Sequence, residues 1–497
     1  VEQPAHRVLW AVNTALNHIA IGIDVGNAYA EADGPEEKIY MIVDKQFHEW
    51  WTDCLGHPSI PYGQVIPILK NLQGHPEGPR LWHKHIHRIM LNDLGFRACT
   101  HEHCLYYKRE KDTNDLILVL RQVDDFIIIT KLLSAALDIK AQIGKQMTNP
   151  LNDLGIIKRF NGVDIQQTRY YVKVFAETYL TRVLEHHGWL NLPASNIPIP
   201  MRTETAFMAA LELTEGPTDE HEKKALEKEM GFSYRQVIGE AIFAMTICRI
   251  DISPAIIKLS QYSEKPAKCH FQALKNLFAF LNATKSEGLY YWRADARMDL
   301  PDEPLPIPIS NEESLYEYFA IHDPLRLKGT TDSTWGNDRK HRRSTGGVAF
   351  LLSGAAVYYR TKVQATVAQS STEAELYTMV DGGKGGLYLR SLLEELGVEQ
   401  IGPTEILCDN QSALKITNAQ QPSKRTRHVE IKEFAVQQWV EDERIVYEDV
   451  ITTHNPSDSL SKATSRIKFW EHFDVLMGRR IPQYALTHHA IHSAKKN

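Results

Sequence analysis

Apolar runs of two different periods alternate along this chain, and their order outlines its architecture. HIAIGIDV, DLILVL and FIIIT are short, nearly continuous apolar runs of the length expected for buried strands. GPRLWHKHIHRIMLNDLG, between them, predicts a helix. From residue 201 to about 290 the spacing turns helical: SYRQVIGEAIFAMTICRI and CHFQALKNLFAFLNATK each carry an apolar stripe. MDLPDEPLPIPIS, rich in proline and acid, predicts a linker. Beyond about Leu325, VAFLLS, a Ser-Gly turn and AAVYYRTKV predict a β-hairpin. A helix then runs from Ser371 to about Leu396 and stops at Gly397, with Leu376, Met379, Val380 and Leu387 as its buried face. The expected segments are 1–200, 201–320 and 321–497.

One apolar run holds an anomaly. LRQVDDFIII, Leu120 to Ile129, has two adjacent carboxylates where a buried strand is expected. An unpaired buried carboxylate is costly, so the acids need a partner. Either Asp124 and Asp125 form a turn open to water, or they hold a hard divalent cation. The pair alone fits both. Asp24 ends another apolar run, and the same two readings apply to it.

Composition narrows the class. With 497 residues, 43% hydrophobic and 24% charged, the chain is long enough for two or three globular domains. Its net charge of −6 means that a nucleic acid would have to be gripped by local basic patches. Six cysteines are too few for a disulfide framework, so a reducing compartment is expected. VEQPAHRVLW has no features of a signal peptide, and the longest apolar stretch, VAFLLSGAAVYY, is too short to span a bilayer. CTHEHC crowds four metal-binding side chains into six residues, unlike the paired, separated ligands of structural zinc sites, so no zinc is expected there. Trp50 and Trp51 are expected in the core, and LTHHAIHSAKKN as a tail.

The motifs around these acids resemble the reverse transcriptase of copia-type LTR retrotransposons. Asp24-Val25-Gly26-Asn27-Ala28-Tyr29 matches that family's D-V-x-N-A-aromatic motif. Gly74, then Pro79-Arg80-Leu81-Trp82, matches its glycine followed by P-R-x-W. Val123-Asp124-Asp125 matches Y-V-D-D with Gln122 for the tyrosine, and Phe160-Asn161-Gly162-Val163 matches F-L-G-I with Asn161 for the leucine. Tyr234-Arg235, Val237-Ile238-Gly239 and Arg249-Ile250-Asp251-Ile252 continue the likeness, in order, over most of the chain. The resemblance implies an α+β right-hand palm with a helical thumb or connection. It makes Asp24 and Asp124, supported by Asp125, the ligands of two Mg²⁺ or Mn²⁺ ions that assist nucleotide addition to a 3′-hydroxyl. It places Tyr29 as the aromatic gate against a ribose 2′-hydroxyl and Gln73-Gly74 along the nucleotide pocket. The chain starts 23 residues before Asp24, so the fingers segment is expected to be largely missing, as in a piece cut from a polyprotein.

A second acidic set follows the linker. Asp332 in KGTTDSTWGND, Glu373 and Glu375 in SSTEAELYTM, Asp409 in EILCDNQSAL and Asp458 in HNPSDSLSKA follow strand-like runs or open helices. Glu373 and Glu375, two apart on a helix, cannot share a face, and Ser370 with Glu373 fits a capping box. The order Asp332, Glu375, Asp409, Asp458 resembles the ribonuclease H domain of the same elements, an α/β fold with two metal ions held by four carboxylates. An integrase orders its acids Asp, Asp, Glu, which this chain does not. Arg339, Lys340, Arg342 and Arg343, and Lys424, Arg425 and Arg427, are the expected phosphate-gripping patches. The implied partners are an RNA template, a DNA primer, an RNA–DNA hybrid, deoxynucleoside triphosphates and other polyprotein products, with no membrane. The implied location is cytoplasmic, in virus-like particles, with nuclear entry. Two other readings stay open: a remnant that binds nucleic acid without catalysis, and ribonuclease H activity alone.

Overall fold

The structure, a computed structural model, describes residues 3–35, 37–192, 199–310, 319–418 and 430–487, with the backbone alone at 430–434. They pack as two compact units, residues 19–157 and residues 1–18 with 158–497.

The first unit is built on a six-stranded antiparallel sheet. Its strands are β1 (Ile19–Val25), β4 (Arg97–Ala98), β5 (Leu105–Arg109), β6 (Leu116–Gln122), β7 (Asp125–Thr130) and β8 (Leu151–Ile156); β2 (Ile39–Ile42) and β3 (Val65–Ile68) pair separately. The spatial order β4-β5-β6-β7-β1-β8 puts β7 and β1 at its heart, and β1, β6 and β7 are buried almost throughout. That explains their unbroken apolar runs. Helices Gly78–Arg88 and Leu133–Gly144 supply Trp82, Ile86, Ala136, Ile139 and Ile143 to the core, against Ile21, Ile23, Val119, Phe126 and Ile128. Burying each aliphatic side chain of this size contributes about 1.5–3 kcal/mol. The long helix expected over 78–95 changes after Arg88 to a wider turn, Ile89–Asp93, and ends at Gly95 in the left-handed region.

The Trp50–Trp51 pair is not core. Trp50 is 49% exposed and Trp51 half-buried, beside the β2–β3 pair, whose Tyr40, Ile42 and Val65 are also exposed. A two-stranded excursion has no second layer to bury them, so they stack on Phe47 and His57 instead.

The second unit holds two sheets. β9 (Arg159–Phe160), β10 (Val163–Gln167), β11 (Tyr171–Phe175) and β12 (Gly288–Trp292) form the first, in order β12-β11-β10-β9. Helices Thr205–Leu213, Glu220–Met230, Tyr234–Ile247, Ser253–Ser260 and Lys268–Ala283 follow β11, as the helical spacing predicted. The expected linker has no regular structure from Pro301 to Ser310 but is tied down: Ile309 and Ser310 N–H both donate to Asp474, and Tyr171 donates to Pro304 O. The N-terminal helix Gln3–Ala15 belongs to this unit, its buried Arg7 donating to Val357, Thr246 and Ile247 carbonyls.

The second sheet comprises β13 (Lys328–Thr334), β14 (Thr345–Leu352), β15 (Ala355–Val363), β16 (Thr404–Cys408) and β17 (Ile445–Asp449), in order β15-β14-β13-β16-β17. The first three are antiparallel; β13–β16 and β16–β17 are parallel. The predicted hairpin is β14–β15, with Ser353 and Gly354 both at positive φ as a two-residue turn of this hand requires. Helix Ser371–Glu395 crosses the sheet. Its face is not quite the predicted one: Leu376, Met379 and Val380 are buried, but Leu387 is half-exposed and Gly382 and Gly386 lie inward. A Cβ on Gly382 would lie 2.6 Å from Thr331, and on Gly386 3.0 Å from Phe350, so the helix sits closer to the sheet than side chains allow. Mixed layers of helix and sheet in both units agree with the α/β expectation.

Candidate active sites

The acids of LRQVDDFIII lie at a hairpin tip. β6 and β7 pair through Gln122 and Asp125, so Val123 and Asp124 are the two-residue turn. Val123 has φ 58°, rare for a β-branched residue and costing about 1–3 kcal/mol. Its carbonyl is held by the Trp82 indole N–H at 2.6 Å and by Arg121 at 3.3 Å. On the other side β1 pairs with β7 so that Asp24 stands opposite Asp125, and Val25 N–H donates to Asp124 O at 3.0 Å. Three carboxylates on two adjacent strand ends are the result. Asp124 is exposed, Asp24 and Asp125 half-buried. Burial first, then Asp124 and Asp24, raise the Asp125 carboxyl above its ordinary value. Asn152, on β8, donates to Asp24 at 2.7 Å.

The second set is assembled by parallel register. The last β13–β16 pair is Thr330 with Leu407, so Asp332 and Asp409 each lie two residues further on, side by side at the carboxyl ends of neighbouring strands. Open α/β sheets bind ligands there. Asn410 caps helix Gln411–Thr417 through Ser412 and Ala413 N–H and fixes the chain after Asp409. Glu375 comes from the second turn of helix Ser371–Glu395 and accepts from Ser333 N–H at 2.9 Å. Glu373 points elsewhere: Ser370 caps its N–H, and its carboxylate accepts from Gln369 N–H and Tyr377. Asp332, Glu375 and Asp409 bring ligand oxygens within 4.8 Å of one another. Asp458 is outside that group, fully buried between Lys462 and Lys468.

Three like charges so close cannot ionise freely. Burial, then Asp458, push Asp332 up to about 7. Burial and Asp332 hold Glu375 well above its usual range. Asp409 is raised by burial and by Asp458, against a hydrogen bond from Thr452. Asp458 is lowered: burial acts upward, but the two lysines outweigh it. Oε2 of Glu375 is buried with no hydrogen-bond partner among the described residues. An all-oxygen, acid-rich group with an orphaned carboxylate oxygen fits a hard divalent cation such as Mg²⁺ or Mn²⁺.

Residues 1–201 match the family described as "Reverse transcriptase (RNA-dependent DNA polymerase)". The retrovirus-related Pol polyprotein of transposon TNT 1-94 from Nicotiana tabacum is 28% identical over 94% of this chain and 32% of its own length. That of transposon RE1 from Arabidopsis thaliana is 23% identical over 84% of this chain and 25% of its own. The chain is thus similar over most of its length to the Pol polyproteins of these transposons, and its first 201 residues match the reverse transcriptase family. It spans about a third or less of the length of these curated relatives. A solved ribonuclease H1 isolated from compost is 13% identical and covers 27% of this chain and 91% of its own, with a TM-score of 0.22.

The remaining residues expected from the resemblance are placed as follows. Tyr29, in the short helix Ala28–Glu31 behind Asp24, is half-buried against the core. Gln73 and Gly74 form an exposed turn, Gly74 at φ 88°. Arg339 and Lys340 are engaged: Arg339 pairs with Glu212 at 3.0 Å and Lys340 with Glu215 at 2.7 Å, while Glu212 also holds Lys258. Arg342 and Arg343 are exposed and in no ion pair with the described residues. Lys424, Arg425 and Arg427 lie outside the described residues.

Sequence reasoning named Trp82 only as part of a motif. Its bond to Val123 spans 41 positions, and only the motif's recurrence with V-D-D could have signalled it. Trp82→Phe keeps the buried ring and removes the donor. A lost bond to a strained turn is worth about 1–2 kcal/mol, so primer extension is expected to fall roughly tenfold in kcat with little change in KM for nucleotide. Steady-state kinetics on a primed template would read this, with hybrid cleavage as the unaffected internal control. An unchanged kcat would remove Trp82 from the site.

Proposed function

We propose that this chain synthesises DNA on RNA and DNA templates and hydrolyses the RNA strand of RNA–DNA hybrids, for the replication of a retrotransposon. The observation that carries the reading is the paired placement of acids in a chain similar to Pol polyproteins: Asp24 opposite Asp125 beside the Asp124 turn in one unit, and Asp332, Glu375 and Asp409 converging in the other. Asp24, Asp124 and Asp125 would hold divalent cations at the polymerase site, and Asp332, Glu375, Asp409 and Asp458 at the hydrolytic one, two per site. Bound there, Mg²⁺ or Mn²⁺ supplies Lewis acidity for the attacking hydroxyl or water and for the leaving oxygen. The chain's own part is to fix the carboxylates on strand ends and to hold Glu375 and Asp332 in a dry pocket. Tyr29 and Gln73-Gly74 would receive the deoxynucleoside triphosphate, and Arg342 and Arg343 the hybrid's phosphates. The reading puts the protein in cytoplasmic virus-like particles, with nuclear entry and with other polyprotein products as partners. Among the described residues no helix is long and apolar enough to cross a membrane.

The test is primer extension on poly(rA)–oligo(dT) with Mg²⁺, with cleavage of a labelled hybrid beside it. Both activities support the reading. Cleavage without extension would leave ribonuclease H alone, a reading favoured by the tighter convergence of the second set of acids.

The basic patch gives a separate expectation. Each phosphate contact contributes close to one unit to the slope of log affinity against log salt. Arg343→Ala should reduce that slope for hybrid binding by about one. Arg339→Ala should leave it nearly unchanged and cost at most about 1 kcal/mol of stability, because Arg339 is spent on Glu212. Equal slopes for the two variants would count against this division of the patch.

A further inference from the structure

Asp458 differs from the other acids in what neutralises it. It is 0% exposed, and cations of the chain itself take both carboxylate oxygens: Lys462 Nζ lies 2.6 Å from one and Lys468 Nζ 2.9 Å from the other. Lys462 is one turn beyond Asp458, at the end of the short helix Asp458–Ser461; Lys468 comes from helix Arg466–Leu476. The short helix is bolted to β13. Ser457 shares a hydrogen bond with Thr330, and Ser461 donates to Asp332. Asp458 is therefore fixed beside the converging acids while its charge is already matched.

A buried ion pair of this kind is costly to break by removing one partner, yet can be exchanged when another cation takes the place of the first. Lys462 is free to make that exchange. Its side chain is 44% exposed and lines a cleft of about 160 Å³ that Glu212 also lines, so the displaced ammonium has room. Lys468 is 28% exposed.

We propose that Lys462 and Lys468 are built-in competitors for the second divalent cation of this site. In the resting chain they neutralise Asp458, leaving Asp332, Glu375 and Asp409 as a preformed place for one cation. A second is held only when the lysines release Asp458. The incoming phosphodiester offers Lys462 a replacement anion, which couples the second cation to substrate. The inference rests on the ribonuclease H reading of the four acids.

The experiment counts Mn²⁺ bound to the full chain, by electron paramagnetic resonance of the free ion, in an Asp124→Asn background that weakens binding at the polymerase acids. The parent is expected to show one tighter and one weaker ion at the hydrolytic site. Lys462→Met should tighten the weaker ion at least tenfold and leave the tighter one unchanged. Lys462→Arg, which keeps the charge, should resemble the parent. Lys468→Met tests the same competition from the other helix and serves if Lys462→Met does not fold. Weaker-ion affinity that stays at the parent value in both Met variants, while Asp332→Asn abolishes the tighter ion, overturns the competition and leaves the metal site standing. Retention of both ions in Asp332→Asn overturns the metal site itself.

Discussion

Asp332→Asn should abolish cleavage of an RNA–DNA hybrid and, without metal at pH 8, make the chain more stable. The two effects have one cause. Asp332 lies in a dry pocket with Glu375 and Asp409 within 4.8 Å, and its carboxyl is pushed up to about 7 by burial and then by Asp458. A carboxyl raised in the folded state keeps its proton where the unfolded chain releases it. Its contribution to stability is therefore greatest at low pH and is lost as pH rises through the window from about 4 to about 7. Above that window the parent carries a repelling charge that asparagine lacks, worth on the order of 2 kcal/mol. Thermal melts in EDTA should show the variant ahead at pH 8, the gap narrowing as pH falls through that window and closing at about pH 4. Added Mg²⁺ should reverse the order, because it binds only the parent acids and stabilises by mass action. A variant that melts below the parent at pH 8 without metal would contradict the crowding of charge inferred for this site.

Much of this arrangement could be read from residue order because it depends on local periods. The strands HIAIGIDV, DLILVL and FIIIT are apolar on both faces, and the β14–β15 hairpin announces itself through Ser353-Gly354. Asp24, Asp125 and Asp409 lie at strand ends and Asp458 opens a helix, where spacing marks the boundary; Asp332, inside β13, and Glu375, in the second turn of its helix, carry no such mark. What escaped depends on contacts between distant residues. The hold of Trp82 on Val123 and of Asn152 on Asp24 crosses 41 and 128 positions. Arg339 and Lys340 look like a free basic run until Glu212 and Glu215 are brought against them. The Trp50–Trp51 pair was misread because large aromatics favour cores only where a second layer exists to cover them. Leu387 was misplaced for a related reason: a helix pressed close to a sheet buries glycine, so apolar periodicity no longer marks the inner face.

Asp124→Asn should lower primer extension roughly a thousandfold, equivalent to about 4 kcal/mol of transition-state stabilisation, while leaving hybrid cleavage near the parent rate. Asp24→Asn should do the same, and Asp125→Asn less. The gradation follows from position. Asp124 is the exposed turn residue and Asp24 ends the neighbouring strand, whereas Asp125 is already within the β7 ladder, half-buried, with its carboxyl raised by burial and by both neighbours. Because these acids and Asp332 lie in different compact units, the two variants should fail in opposite assays: Asp332→Asn extends primers but does not cut, and Asp124→Asn cuts but does not extend. Gel assays of both activities on one preparation of each variant decide it. If Asp124→Asn loses both activities while its melting curve is unchanged, the two chemistries do not occupy separate carboxylate sites. If the parent cuts but extends nothing, the hairpin acids are not those of a working polymerase in this chain.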